Sequence, residues 1–155
     1  VPDGHDVKAS PLSETLIGTW ELLSREDHTS SGERRIDASL GESPVALLIY
    51  DRSGHFAAQF MKRDRNSASD ADPPSATPNN SQARGGYDAY FGTYTVDDAR
   101  GEVTQCLIGA LSAENVGQVL TRVMTVVGDE LTIRLETATP DREPVTRTLR
   151  WKRVG

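Results

Sequence analysis

Cysteine, histidine, aromatic residues and positive charge are all in short supply along these 155 residues. The one cysteine, Cys106, excludes an intrachain disulfide and a multi-cysteine zinc site. With no basic neighbour in sequence to activate it, it reads as an inert small residue. His5, His28 and His55 lie too far apart to show metal-ligand spacing. The 17 Lys and Arg against 23 Asp and Glu leave a net charge of −6, which argues against a nucleic-acid partner because phosphate binding needs a basic surface. No apolar run is long enough to cross a bilayer as a helix, so no membrane partner is expected. No basic-plus-apolar signal segment opens the chain, and the expectation is a cytoplasmic protein. Phosphate-cradling glycine loops, a Ser-His-Asp order, zinc-hydrolase motifs and a calcium loop are missing too. The expectation is therefore no metal and no cofactor.

What is present is a succession of short apolar and β-branched runs punctuated by turn residues. They fall near 20–25, 34–36, 45–50, 56–61, 91–96, 103–111, 119–127, 131–135 and 145–154. Asp51-Arg52-Ser53-Gly54, Asp97 to Gly101 and Gly128-Asp129 read as tight turns between them. About eight or nine strands with short connections make an all-β, antiparallel domain over 15–155. Residues 1–14 read as a flexible terminus, with a helical turn near Ser13 to Leu16. The stretch 62–86, rich in Ser, Asp, Asn, Pro and Ala, cannot bury enough apolar surface to fix its own backbone and reads as a mobile lid. Its end, Ser81 to Tyr90, reads as one short helix capped by Ser81.

Gly18-Thr19-Trp20 heads the first strand. A glycine permits close backbone approach and the indole two residues on buries a large ring, the makings of the plug that closes a small barrel. A barrel of this size encloses side chains or one small ligand. Strand parity then sorts the side chains. Trp20, Leu22 and Ser24 share a face, as do Arg147, Leu149, Trp151 and Arg153. Arg122 and Met124 are placed inside, because the threonines of the same strand suit an outer wall. Gln105 goes with Val103 and Leu107, Tyr94 with Gly92 and Val96, and His55 with Ala57, Gln59 and Met61 as lumen residues. No apolar outer stripe stands out, which leaves little support for an interaction module using the outside wall.

The runs Leu16 to Ser24, Leu47 to Tyr50, Gly54 to Met61, Ala89 to Asp97, Gly101 to Thr104 and Thr148 to Val154 resemble the lipocalin-like domain family of bacteria and fungi. Tyr90-Phe91-Gly92-Thr93-Tyr94 is the most specific block. The resemblance implies a lipocalin-like antiparallel β-barrel with an internal cavity, in a setting of natural-product metabolism. It also implies kinship with barrels that are cofactor-free cyclases and isomerases. Family members often carry a histidine pair where this chain has Gln105 and Cys106, so a mechanism built on that pair is not expected.

The partner expected from these residues is a small, largely apolar or amphipathic organic molecule. Tyr50, Gln59, Tyr90, Tyr94, Gln105, Arg122 and Met124 are its candidate ligands. An inward guanidinium needs a partner, and a bound carboxylate or enolate would serve. The alternative is a cyclase, isomerase or dehydratase in the same cavity, with Arg122 or Tyr94 polarising a carbonyl and His55 moving the proton. One of Arg147, Arg150 and Arg153 is expected to cover the Trp20 indole as a cation–π lid.

Overall fold

The computed structural model describes residues 10–65 and 78–155. After a four-residue helix, α1 (Leu12–Thr15), come nine strands. They are β1 (Gly18–His28), β2 (Arg34–Arg35), β3 (Val45–Tyr50), β4 (His55–Met61), β5 (Tyr87–Asp97), β6 (Glu102–Ala110), β7 (Val119–Val127), β8 (Glu130–Ala138) and β9 (Pro144–Arg153). From β3 onward each strand pairs antiparallel with the next, and β1 pairs with both β3 and β9. Those eight strands close a barrel. β2 is an extra ribbon strand laid against the far end of β1, where Asp27 and His28 face Arg35 and Arg34.

Two bulges control which side chains enter the barrel. On β1 the register to β9 steps from Leu22–Trp151 to Ser24–Arg150, so Leu23 is an inserted residue and points outward, 54 % exposed. Parity reverses beyond it. Trp20 faces in before the bulge, and Arg25 and Asp27, not Ser24, face in after it. On β6, Ile108 is the inserted residue between the Phe91–Gly109 and Gly92–Leu107 pairs. There Gly92 lies so close to β6 that a Cβ would sit 1.8 Å from the Cys106 carbonyl oxygen. Only glycine fits at that crossing.

One end of the barrel is sealed. Trp20, with no exposed surface, donates its indole N–H to the Leu16 carbonyl at 3.0 Å. Arg153 is the cation–π lid, its guanidinium carbon 4.3 Å from the indole centroid. The same guanidinium donates to the Thr15 and Ile17 carbonyls at 2.6 and 2.8 Å, and its Nε lies 3.6 Å from the exposed Asp129 carboxylate. Gly18 has φ +148°, and a Cβ there would meet Arg153 Nη1 at 2.6 Å. α1 is tied down by Ser13, whose N–H and hydroxyl donate to Asp98 at 2.8 Å each.

Three expectations need correction. The stretch Ser81 to Tyr90 is not a helix. Gly85 and Gly86, at φ 58° and 74°, make a tight reversal into β5, and Ser81 donates to the Asp88 carboxylate instead of capping a turn. Ala57, Gln59 and Met61 do not face the lumen, because Phe56, Ala58 and Phe60 take the inward positions of β4. The outer wall does carry apolar surface. β3 is apolar on both faces, which leaves Val45, Leu47 and Ile49 exposed, and the register Ile49–Ala57–Phe91 continues that patch across β4 and β5.

Candidate functional site

The end opposite Trp20 is where the long connections gather, and it opens into a cavity of about 280 Å3. Leu48, Phe60, Ile133 and Leu149 give it apolar walls. Polar groups enter from the far half of β1, the connector after β2, the segment leading into β5, the strands β6, β7 and β9, and the connection between β8 and β9.

The largest polar feature is an ion network on the wall between β1 and β9. Asp27 and Arg147 are register partners across that seam. Arg147 donates to Asp27 through Nε at 2.7 Å and Nη2 at 3.0 Å, a bidentate pair almost wholly buried. Arg25 donates to Asp37 at 3.0 Å, and Arg147 Nη2 lies 3.6 Å from the same carboxylate. Burial works to raise the Asp37 carboxyl, but Arg25 and Arg147 outweigh it and hold the group below the ordinary carboxylate range. Asp37 also accepts the Ser39 N–H at 2.8 Å, which shapes the connector over the mouth. At the rim Arg35 makes a second bidentate pair, with Glu143 at 2.7 and 3.2 Å.

Asp88, on β5, behaves in the opposite way. Burial pushes its carboxyl up, toward the neutral form. Ser81 donates to Oδ2, while Oδ1 is buried without a hydrogen-bond partner among the described residues. Arg147 Nη1 and Trp151 Nε1, in two further cavity-lining residues, are buried without partners as well. Deeper in, Gln105 donates to the Tyr50 hydroxyl. Burial raises both Tyr50 and Tyr90, so the two phenols stay neutral.

The described part of the 62–86 stretch, beyond its first residues, is fastened over this mouth. Asn79 Nδ2 donates to the Thr121 carbonyl at 3.3 Å, while Asn79 Oδ1 accepts the Thr121 N–H at 3.2 Å. Thr137 donates to the Pro78 carbonyl at 2.6 Å, and Ser112 to that of Gln82 at 2.8 Å. Residues 66–77 of the expected lid lie outside the described residues, as do residues 1–9 of the expected flexible terminus.

Of the residues singled out from sequence, Tyr50, Tyr90, Gln105 and Arg122 line the cavity together. Four do not. Gln59 is on the outer wall, where its side-chain oxygen accepts the Tyr87 hydroxyl at 2.6 Å. Tyr94 is at the sealed end and donates to the Asp51 carbonyl at 2.7 Å. Met124 is buried behind Tyr50, its sulfur 4.0 Å from that hydroxyl. His55 is exposed beside the Asp51–Gly54 turn, its Nδ1 2.7 Å from the Ser53 hydroxyl. Strand alternation places these four in the lumen by face alone and carries no information on depth. His55 and Gln59 are on the wrong face, and Tyr94 and Met124 are at the wrong depth.

Arg25, Asp27, Asp37 and Asp88 are cavity residues that the alternation pattern does not reveal. The bulge at Leu23 hides the first two from parity, Asp37 belongs to a connector, and Asp88 sits in the stretch misread as a helix. One signal is in the chain: Arg25 and Asp27 at alternate positions of β1, and Arg147 on the same face of β9 as Val145, Leu149 and Trp151, are what a buried pair across one seam requires.

The model of the lipocalin-like domain family matches residues 17–154. A search of curated proteins finds no match.

Proposed function

Because the chain belongs to the lipocalin-like domain family, we propose that its open-ended cavity binds a small, largely apolar organic molecule of the kind handled in natural-product metabolism. The observation that carries this reading is a cavity of about 280 Å3 with apolar walls, into which a few hydrogen-bonding groups converge. Arg122, Gln105, Tyr50 and Tyr90 fix the polar end of the guest; the apolar walls take its body. Titration with the neutral dye phenylnaphthylamine tests it. Saturable fluorescence enhancement at one dye per chain is expected. Leu40→Trp, in the connector at the mouth, weakens it, and His55→Ala at the sealed end leaves it unchanged. Absence of saturable binding in the unaltered protein would remove the proposal.

A second reading, a cofactor-free isomerase, cyclase or dehydratase in the same cavity, is favoured by Asp88. A carboxyl held toward its neutral form at a cavity wall is a general acid in waiting. Arg122 polarises a carbonyl, and Asp88 takes the proton-transfer role first assigned to His55. Mass spectrometry of a compound recovered from freshly purified protein and then returned to it separates the two readings. A carrier gives back the same compound. An enzyme gives back an isomer or a dehydrated product, and Asp88→Asn stops that conversion while binding continues.

A further inference from the structure

Three arginines reach the cavity from the barrel wall, and two of them are answered. Arg25 is paired with Asp37 and Arg147 with Asp27. Arg122 is the third. It is only 6 % exposed, yet no carboxylate among the described residues lies within ion-pair distance of it. Its Nη1 donates to Asn79 Oδ1 at 3.1 Å and to the Thr121 carbonyl at 3.0 Å. Its Nε and Nη2 have no hydrogen-bond partner among the described residues.

An arginine cannot shed its proton to escape burial, and a desolvated charge with no counter-ion is costly. The surrounding groups do not supply the missing charge. Tyr50, Tyr90 and Gln105 are neutral at this site. Asp88, the remaining inner carboxyl, is pushed toward its protonated form by burial. Glu143 at the rim is already held by Arg35, and Asp141 by Thr139. The inner wall thus keeps one positive charge over, Arg25, Arg122 and Arg147 against Asp27 and Asp37, while at the rim Arg35 faces Glu143 and the exposed Asp141, inside a chain whose net charge is −6. That surplus is local and is not a by-product of a basic protein.

Resting on the cavity reading above, we infer that the guest is an organic monoanion, an apolar body ending in a carboxylate or enolate that seats on Arg122. The fork left open by Nε and Nη2 suits a two-oxygen acceptor. The competing role for Arg122 is a clamp on Asn79. A clamp requires no charge, and Asn79 is already held by both backbone groups of Thr121.

Two dyes on one scaffold test the inference: phenylnaphthylamine, which is neutral, and anilinonaphthalene sulfonate, which adds a single negative charge. The unaltered protein is expected to bind the anionic dye more tightly. Arg122→Met should weaken the anionic dye about tenfold to a hundredfold, the range for a charge-assisted hydrogen bond, and shift the neutral dye far less, so that the preference between the two is lost. Its melting temperature should not fall, since a surplus charge has left the interior. Decanoate should displace the anionic dye where methyl decanoate does not, a comparison that needs no variant. Equal affinity for the two dyes, equal displacement by acid and ester, or an Arg122→Met protein with the original preference overturns the anion and leaves the cavity standing. Saturable binding of neither dye overturns the cavity itself.

Discussion

The two ends of this barrel handle buried charge in different ways. At the sealed end one guanidinium, that of Arg153, lies on the Trp20 face and spends its protons on the Thr15 and Ile17 carbonyls. Every hydrogen-bonding group named there has its partner within the barrel, and the arrangement is complete without a guest. At the open end four guanidiniums and five carboxyls line one space of about 280 Å3, and its inner groups are not all satisfied. Among the described residues Asp88 Oδ1, Arg147 Nη1 and Trp151 Nε1 have no partner, and Arg122 has no counter-ion. Stability is concentrated where every group is satisfied, and recognition where some are not.

Breaking the sealed end should have the largest effect. Trp20→Ala removes a fully buried indole and strands Arg153, for a loss of about 3–5 kcal/mol, read as a lower urea midpoint. That is a large share of the roughly 5–15 kcal/mol that holds a domain together. Arg147→Ala comes next. It leaves Asp27 buried without its bidentate partner, and about 3 kcal/mol should go, the lower end of the range for breaking a buried pair, because the adjoining cavity lets water reach the orphaned carboxylate. The double variant Asp27→Leu, Arg147→Met should recover most of it by the same measurement. Recovery would show that the pair serves the site and not the fold; no recovery would place it with Trp20 as a structural necessity.

The smallest of the three effects is a pH dependence. Burial raises the Asp88 carboxyl above its ordinary 3.8, so the folded chain binds this proton more tightly than the unfolded chain does. Its stabilising contribution is complete below about pH 4 and is lost as pH rises through the folded-state value. Asp37 has the opposite sign: its carboxyl is lowered, and its contribution is present above about pH 4 and lost as pH falls further. Asp88→Asn removes the first dependence alone. Its stability should exceed that of the unaltered protein at neutral pH, with the gap closing on acidification. A gap that widens toward acid would mean that Asp88 is ionised in the fold.

The sealed end was legible in the chain and the open end only partly so. Gly18-Thr19-Trp20 announces a plug, and parity along β9 places Arg153 on the inward face with Trp151, within reach of it. Parity also delivers Arg122 and Gln105, because β7 and the first half of β6 run without interruption. It fails on β1, where one inserted residue reverses the faces halfway along. It says nothing about Asp37 or Ser81, which come from connectors. Depth is the other quantity that alternation leaves out. Tyr50 and Tyr94 touch edge to face with centroids 4.8 Å apart, yet the first meets the cavity and the second the closing turn.

Leu23 does more than disturb a ladder. By resetting inside and outside midway along the seam strand, it divides that strand into two cassettes, one for the plug and one for the lining. Each can vary without disturbing the other. Were Leu23 taken into the ladder instead, the register beyond it would slip by one residue and turn Arg25 and Asp27 out to solvent, leaving Arg147 inside without its carboxylate.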